Sequence, residues 1–102
     1  MEYTFIASRD PVDGDSMVHD LATGLADAGH DVTLFLVENG TLLARAGVLD
    51  DVRTSLTTAG VTILADDFAL SERGITPTKG VQATSLDTLV DHLEAGRKVA
   101  WH

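Results

Sequence analysis

A chain of 102 residues with 44% hydrophobic residues and a mean hydropathy of +0.11 is composed like a single globular domain. That excludes a disordered chain, and it leaves a core small enough for oligomerisation to help bury apolar surface. Its 12 Asp and 4 Glu against 5 Arg and 2 Lys give a formal net charge of -9, which makes nucleic acid and anionic membrane surfaces poor partners and sets the expectation of neither, because phosphate binding rests on clustered Lys and Arg. The absence of cysteine excludes a disulfide framework, a thiolate metal site and a cysteine nucleophile.

The longest apolar stretch, Val32 to Val37, is far below the roughly 18 residues of a membrane helix, and no basic segment precedes an apolar leader. The expectation is a cytoplasmic chain without membrane attachment. Excess negative charge keeps a protein soluble while salt screens its self-repulsion, so the composition also suggests a high-salt proteome.

In chain order, Tyr3 to Ser8 is a near-continuous apolar run, as in a strand covered on both faces. The loop Arg9 to Asp15 follows, after which Asp15 or Ser16 caps a helix. Met17, Leu21 and Leu25, flanked by Val18, Ala22 and Ala26, form its apolar face, and Gly29 stops it. The second strand is Val32 to Val37, followed by a turn signal at Glu38-Asn39-Gly40 and a short helical turn over Leu42 to Ala46. Asp50 and Asp51 open a further helix whose buried stripe is Leu49, Val52, Leu56 and Ala59, closed by Gly60.

The third strand, Val61 to Ala65, delivers Asp66 and Asp67 into a short helix, Asp67 to Glu72, that ends at Arg73-Gly74. Val81 to Ala83 makes a short fourth strand. Thr84 or Ser85 then caps a helix with Leu86, Leu89, Val90 and Leu93 on one face, and Val99 to Trp101 is the last strand. This alternation predicts a three-layer α/β/α sandwich with a mainly parallel five-stranded sheet and right-handed crossovers.

Ligands of open α/β sheets bind outside the carboxyl ends of strands, so Asp66, Asp67 and Asp10 are the first candidate site residues. Arg73 is a candidate anchor for an anionic group, and Asn39 lies in the turn after the second strand. Two close acids raise one pKa or share a cation; the competing reading is an Asp that caps the short helix beside a solvated neighbour. If Asp10 and Asp13 converge with Asp66, the cluster suits Mg²⁺ with Lys79 nearby, for phosphoryl or hydrolytic chemistry. His19, His30, His92 and His102 have no zinc-ligand spacing, and His19 and His92 are expected on exposed helix faces. Trp101 reads as edge-strand packing or an oligomer contact rather than a ligand platform.

Three segments, Gly29 to Gly40, Gly60 to Gly74, and Gly80 to Asp91 with Val99 to Trp101 behind it, resemble the DsrE/DsrF family. This family of small α/β proteins includes the TusD-type subunits of bacterial sulfur relay. The resemblance covers residues 1–102 as a single DsrE-like domain. In the family's sulfur carriers a cysteine eight residues before the glycine of an Arg-Gly pair holds a persulfide. Here that count, taken from Gly74, falls on Asp66, and a carboxylate cannot hold a sulfane sulfur. The resemblance therefore implies a non-catalytic structural or binding subunit of sulfur metabolism that needs no cofactor. It also implies a homo-oligomer, trimeric or hexameric, or assembly with related DsrE-like subunits.

Overall fold

Strands that are apolar along their whole length need cover on both faces, and the distribution of that cover shapes this molecule. The computed structural model describes residues 1–11, 17–47 and 49–102. Its elements are β1 (Glu2–Ala7), α1 (Met17–Asp27), β2 (Asp31–Leu36), a 3₁₀ helix (Glu38–Ala44), α2 (Asp50–Ala59), β3 (Thr62–Asp66), α3 (Asp67–Glu72), β4 (Val81–Thr84), α4 (Leu86–Glu94) and β5 (Lys98–Trp101). The five strands form one sheet in the order β4-β3-β2-β1-β5, and every pairing is parallel. The proposed caps Asp15 and Ser16, and Asp13 of the first loop, lie outside the described residues.

The register fixes which side chains share a face. Phe5 lies opposite Leu34, and Leu34 opposite Ile63. These three, with Ala7, Leu36 and Ala65, form one core with Val18 and Ala22 of α1 and Leu56 of α2. On the other face Ile6, Phe35, Val37 and Leu64 form a smaller cluster, against which the partly buried Leu89 and Val99 pack. Fully burying a side chain such as Phe35 or Leu34, both at 0% exposure, contributes about 1.5–3 kcal/mol.

This asymmetry follows from connectivity. The first three crossovers each step one strand in the same direction, whereas the last passes back over β3, β2 and β1 to place β5 beside β1. With right-handed crossovers, a reversal of direction puts the connecting helix on the opposite face. α4 thus covers the second face alone, over nine residues.

Several expectations are corrected by this arrangement. The turn at Glu38-Asn39-Gly40 and the helical turn expected over Leu42 to Ala46 are one 3₁₀ helix that ends at Ala44. Gly40 sits so close to the end of β1 that a Cβ on it would lie 2.0 Å from the Ala7 carbonyl oxygen. Met17 and Leu21, on the apolar face expected of α1, are 61% and 49% exposed, because the helix turns the Val18 and Ala22 side of that face inward. Leu86, Val90 and Leu93 of α4 are likewise about half exposed. Ser85 occupies the cap position of α4 without a side-chain cap bond. Thr84 Oγ1 instead lies 2.7 Å from Thr88 Oγ1.

Polar contacts anchor the amino end of the second face. The Arg97 side chain is 8% exposed. It donates to Thr4 Oγ1 at 2.8 Å, Tyr3 O at 2.7 Å and Thr33 Oγ1 at 3.3 Å, and pairs with Glu2 and Asp31. Thr4 is fully buried, and its hydroxyl also lies 2.9 Å from His92 Nδ1. His92 is therefore half-buried and engaged rather than solvent-exposed, and His19 is also half-buried.

Candidate functional site

β3 ends with Asp66, whose parity along the strand matches Leu64 of the second face. The residue keeps an extended backbone, φ -62° and ψ 117°, and its carboxylate accepts a hydrogen bond from Phe68 N at 3.3 Å, capping α3. Asp66 is 7% exposed, while its neighbour Asp67 begins the helix and faces solvent. The two adjacent acids thus occupy different environments and do not share a site.

α3 is six residues long and straddles the end of the sheet. Leu70 joins the first core, while Phe68, Ala69, Glu72 and Arg73 form one wall of a groove of about 440 Å³. The opposite wall is Leu86, Leu89, Val90 and Leu93 of α4, and Val37, Glu38, Asp66 and Trp101 complete the lining. The groove lies at the carboxyl ends of the strands, where a site is expected in an open α/β sheet. It displays a contiguous apolar surface, with Phe68 69% and Trp101 65% exposed, of a kind that marks binding surfaces.

Two sequence candidates meet at its edge. Arg73 donates from Nε and Nη2 to Asn39 Oδ1 at 3.3 and 3.2 Å, and from Nη1 to the Ala69 carbonyl and Glu72 Oε1, each at 3.4 Å. The guanidinium is thereby oriented by protein partners. Asp10 lies elsewhere, beside a cavity of about 10 Å³ with Arg9, Pro11, His19 and His102, which shares no lining residue with the groove. Among the described residues no three or more His, Cys, Asp or Glu side chains are grouped so as to hold a metal ion.

Reasoning from sequence missed the walls of this groove. The sequence puts Leu86, Val90 and Leu93 on one face of a helix without showing what that face meets, and reads Trp101 as edge-strand packing or an oligomer contact rather than a ligand platform. Trp101 does lie on an edge strand, where its Nε1 donates to Ser8 Oγ at 3.2 Å, yet pairing opposite Ile6 turns it to the second face and into the groove. The groove follows from the reversed final crossover, which leaves one short helix over the second face, and strand order carries no local sequence signal.

No family model matches the sequence, and a search of curated proteins finds no match. Among solved structures the chain is similar to a conserved protein of unknown function from Bacteroides thetaiotaomicron. The identity is 17% and the TM-score 0.80, over 99% of this chain and 95% of the other. At that identity the similarity establishes a shared fold. Among the described residues no helix is long and apolar enough to cross a membrane.

Proposed function

We propose that the chain is a DsrE-like, non-catalytic binding subunit of sulfur metabolism in the cytoplasm, and that it binds through the groove between α3 and α4. One observation carries this reading. The residue at the carrier position, Asp66, caps α3 through one carboxylate oxygen at the base of an apolar groove, an arrangement that supports binding and offers no thiol to hold a persulfide. The resemblance of the Gly60 to Gly74 segment supplies the link to sulfur relay. Assembly into a homo-oligomer, trimeric or hexameric, or with related DsrE-like subunits, belongs to the same reading. It is supported by exposed Met17 on α1 and by Leu21, which lies near Val99 and Ala100 of edge strand β5.

Incubation with a persulfide donor followed by intact-mass measurement tests the proposal. The wild-type chain is expected to gain no sulfur, whereas D66C gains it faster than S71C, a cysteine placed on the exposed side of α3. A stable sulfur adduct on the wild-type chain, or equal uptake by D66C and S71C, would overturn the link. A single monomer mass at every protein concentration in native mass spectrometry would overturn the assembly.

A further inference from the structure

We propose that the groove takes a small organic amine, a primary or secondary ammonium on an aliphatic or aromatic body, with its N–H groups directed at Asp66. This rests on the reading of the groove as the binding surface of the chain and names the ligand class. The volume, about 440 Å³, falls within the roughly 300–1,000 Å³ of small-molecule sites. Its walls are apolar and open: Leu86, Val90 and Leu93 are 49%, 48% and 54% exposed, opposite the more exposed Phe68. Such walls suit a hydrocarbon body.

The head group is specified by Asp66. Its carboxylate has two oxygens with about four acceptor sites, and it receives one hydrogen bond, from Phe68 N; among the described residues it has no other. A carboxylate at 7% exposure beside apolar walls gains most from a further donor. Charge selects the sign of that donor. Glu38 and Glu72 line the groove with Asp66, and the one lining cation, Arg73, is already held by Asn39 and Glu72. With a net charge of -9 on the chain, an anionic ligand is repelled and a cation is attracted. Trp101 and Phe68 add aromatic faces to which an ammonium is drawn.

Trp101 is the single tryptophan and lines the groove, so its fluorescence reports occupancy. Titration with octylamine, octanol, octanoate and trimethyloctylammonium separates the contributions. Octylamine is expected to bind about tenfold or more tighter than octanol, as one charge-assisted hydrogen bond supplies. Octanoate is expected to give no response, and the quaternary ion, which lacks an N–H, to bind more weakly than octylamine.

D66N retains a capping oxygen and should lose that advantage while melting near the wild-type temperature, and D67N should keep it. On the wild-type chain itself, octylamine affinity should fall as salt rises while octanol affinity does not. Equal binding of octylamine and octanol, without salt dependence, would overturn the amine and leave the groove as a binding surface. No response to any of the four would remove both, while the sulfur-uptake comparison would still stand as a separate test of the relay link. Tighter binding of a Leu/Lys amphipathic peptide than of octylamine would assign the groove to a protein segment and overturn the small-ligand proposal.

Discussion

Replacing Gly40 by alanine tests how tightly the 3₁₀ helix is packed against β1. The added Cβ would lie 2.0 Å from the Ala7 carbonyl oxygen, 2.8 Å from its carbon and 3.4 Å from Ser8 N. Relief to a tolerable contact needs a backbone shift of about 1 Å, because contacts under 3.0 Å are essentially never made by a real Cβ. The backbone there is pinned. Ala7 O accepts from Val37 N at 3.0 Å, Ser8 N donates to His102 O at 3.0 Å, and Gly40 N donates to Val37 O at 2.8 Å. Overpacking costs about 1–3 kcal/mol where neighbours can adjust, so about 3 kcal/mol is expected here. For a domain of this size that lowers the melting temperature by roughly 12–24 °C. Gly24 is the control. It lies within α1 with nothing inside 4 Å of a built Cβ, and G24A should stabilise by about 0.5–1 kcal/mol through helix propensity. Urea titrations of both variants should shift the midpoint with the slope unchanged. A G40A loss below about 1 kcal/mol, or a destabilised G24A, would refute the packing argument.

His92 predicts a pH dependence. Burial, and then the charge of Arg97, hold the imidazole below its ordinary pKa of 6.5, against the opposing pull of Asp31, Asp91 and Glu2. The unfolded chain then binds the proton more readily, so the contribution of this residue is complete above about pH 6.5 and declines as pH falls towards the depressed folded value. Subtracting the stability profile of H92Q from that of the wild type between about pH 7 and 5 should show this decline; a difference that grows with acid would contradict it. In α4, L89A should cost about 2 kcal/mol, because Leu89 packs on the second core cluster. V90A and L93A, at exposed positions, should stay within about 0.5 kcal/mol by chemical denaturation; equal costs at all three would mean that α4 is buried after all. Molar KCl should raise the melting temperature by screening the repulsion of the net charge of -9, and an unchanged or lower value would remove the high-salt reading.

The fold was readable in the sequence because its signals are local. The apolar run Val32 to Val37, the helix stops at Gly29 and Gly60 and the acids that open α2 each act within a few residues, and the short helix Asp67–Glu72 has the bounds expected of it. Side-chain burial was less readable because it depends on partners distant in sequence. Arg53, at 6% exposure, donates to Leu43 O and Arg45 O and pairs with Asp50, tying α2 to the end of the 3₁₀ helix. Arg97 does the same for β1 and β2. Neither is distinguished from a surface arginine by spacing, since the carbonyls that each satisfies belong to other elements.

The candidate site follows the same division. Asp66 was located by its position at a strand end, and Arg73 and Asn39, 34 residues apart in sequence, do meet in space. Asp10 does not join them, because β2 separates β1 from β3 and the loop after β1 opens onto another cavity. The groove itself is a product of strand order. Three same-direction crossovers concentrate α1 and α2 on one face and leave the other to a nine-residue helix that must span from β4 to β5. A helix of that length rises about 13 Å, and α4 uses that length to descend the sheet, from Leu86 in the groove beside Asp66 at the carboxyl end to His92 against Thr4 at the amino end. α4 therefore cannot roof the sheet, and its apolar stripe is left half exposed at the end where β3 presents Asp66.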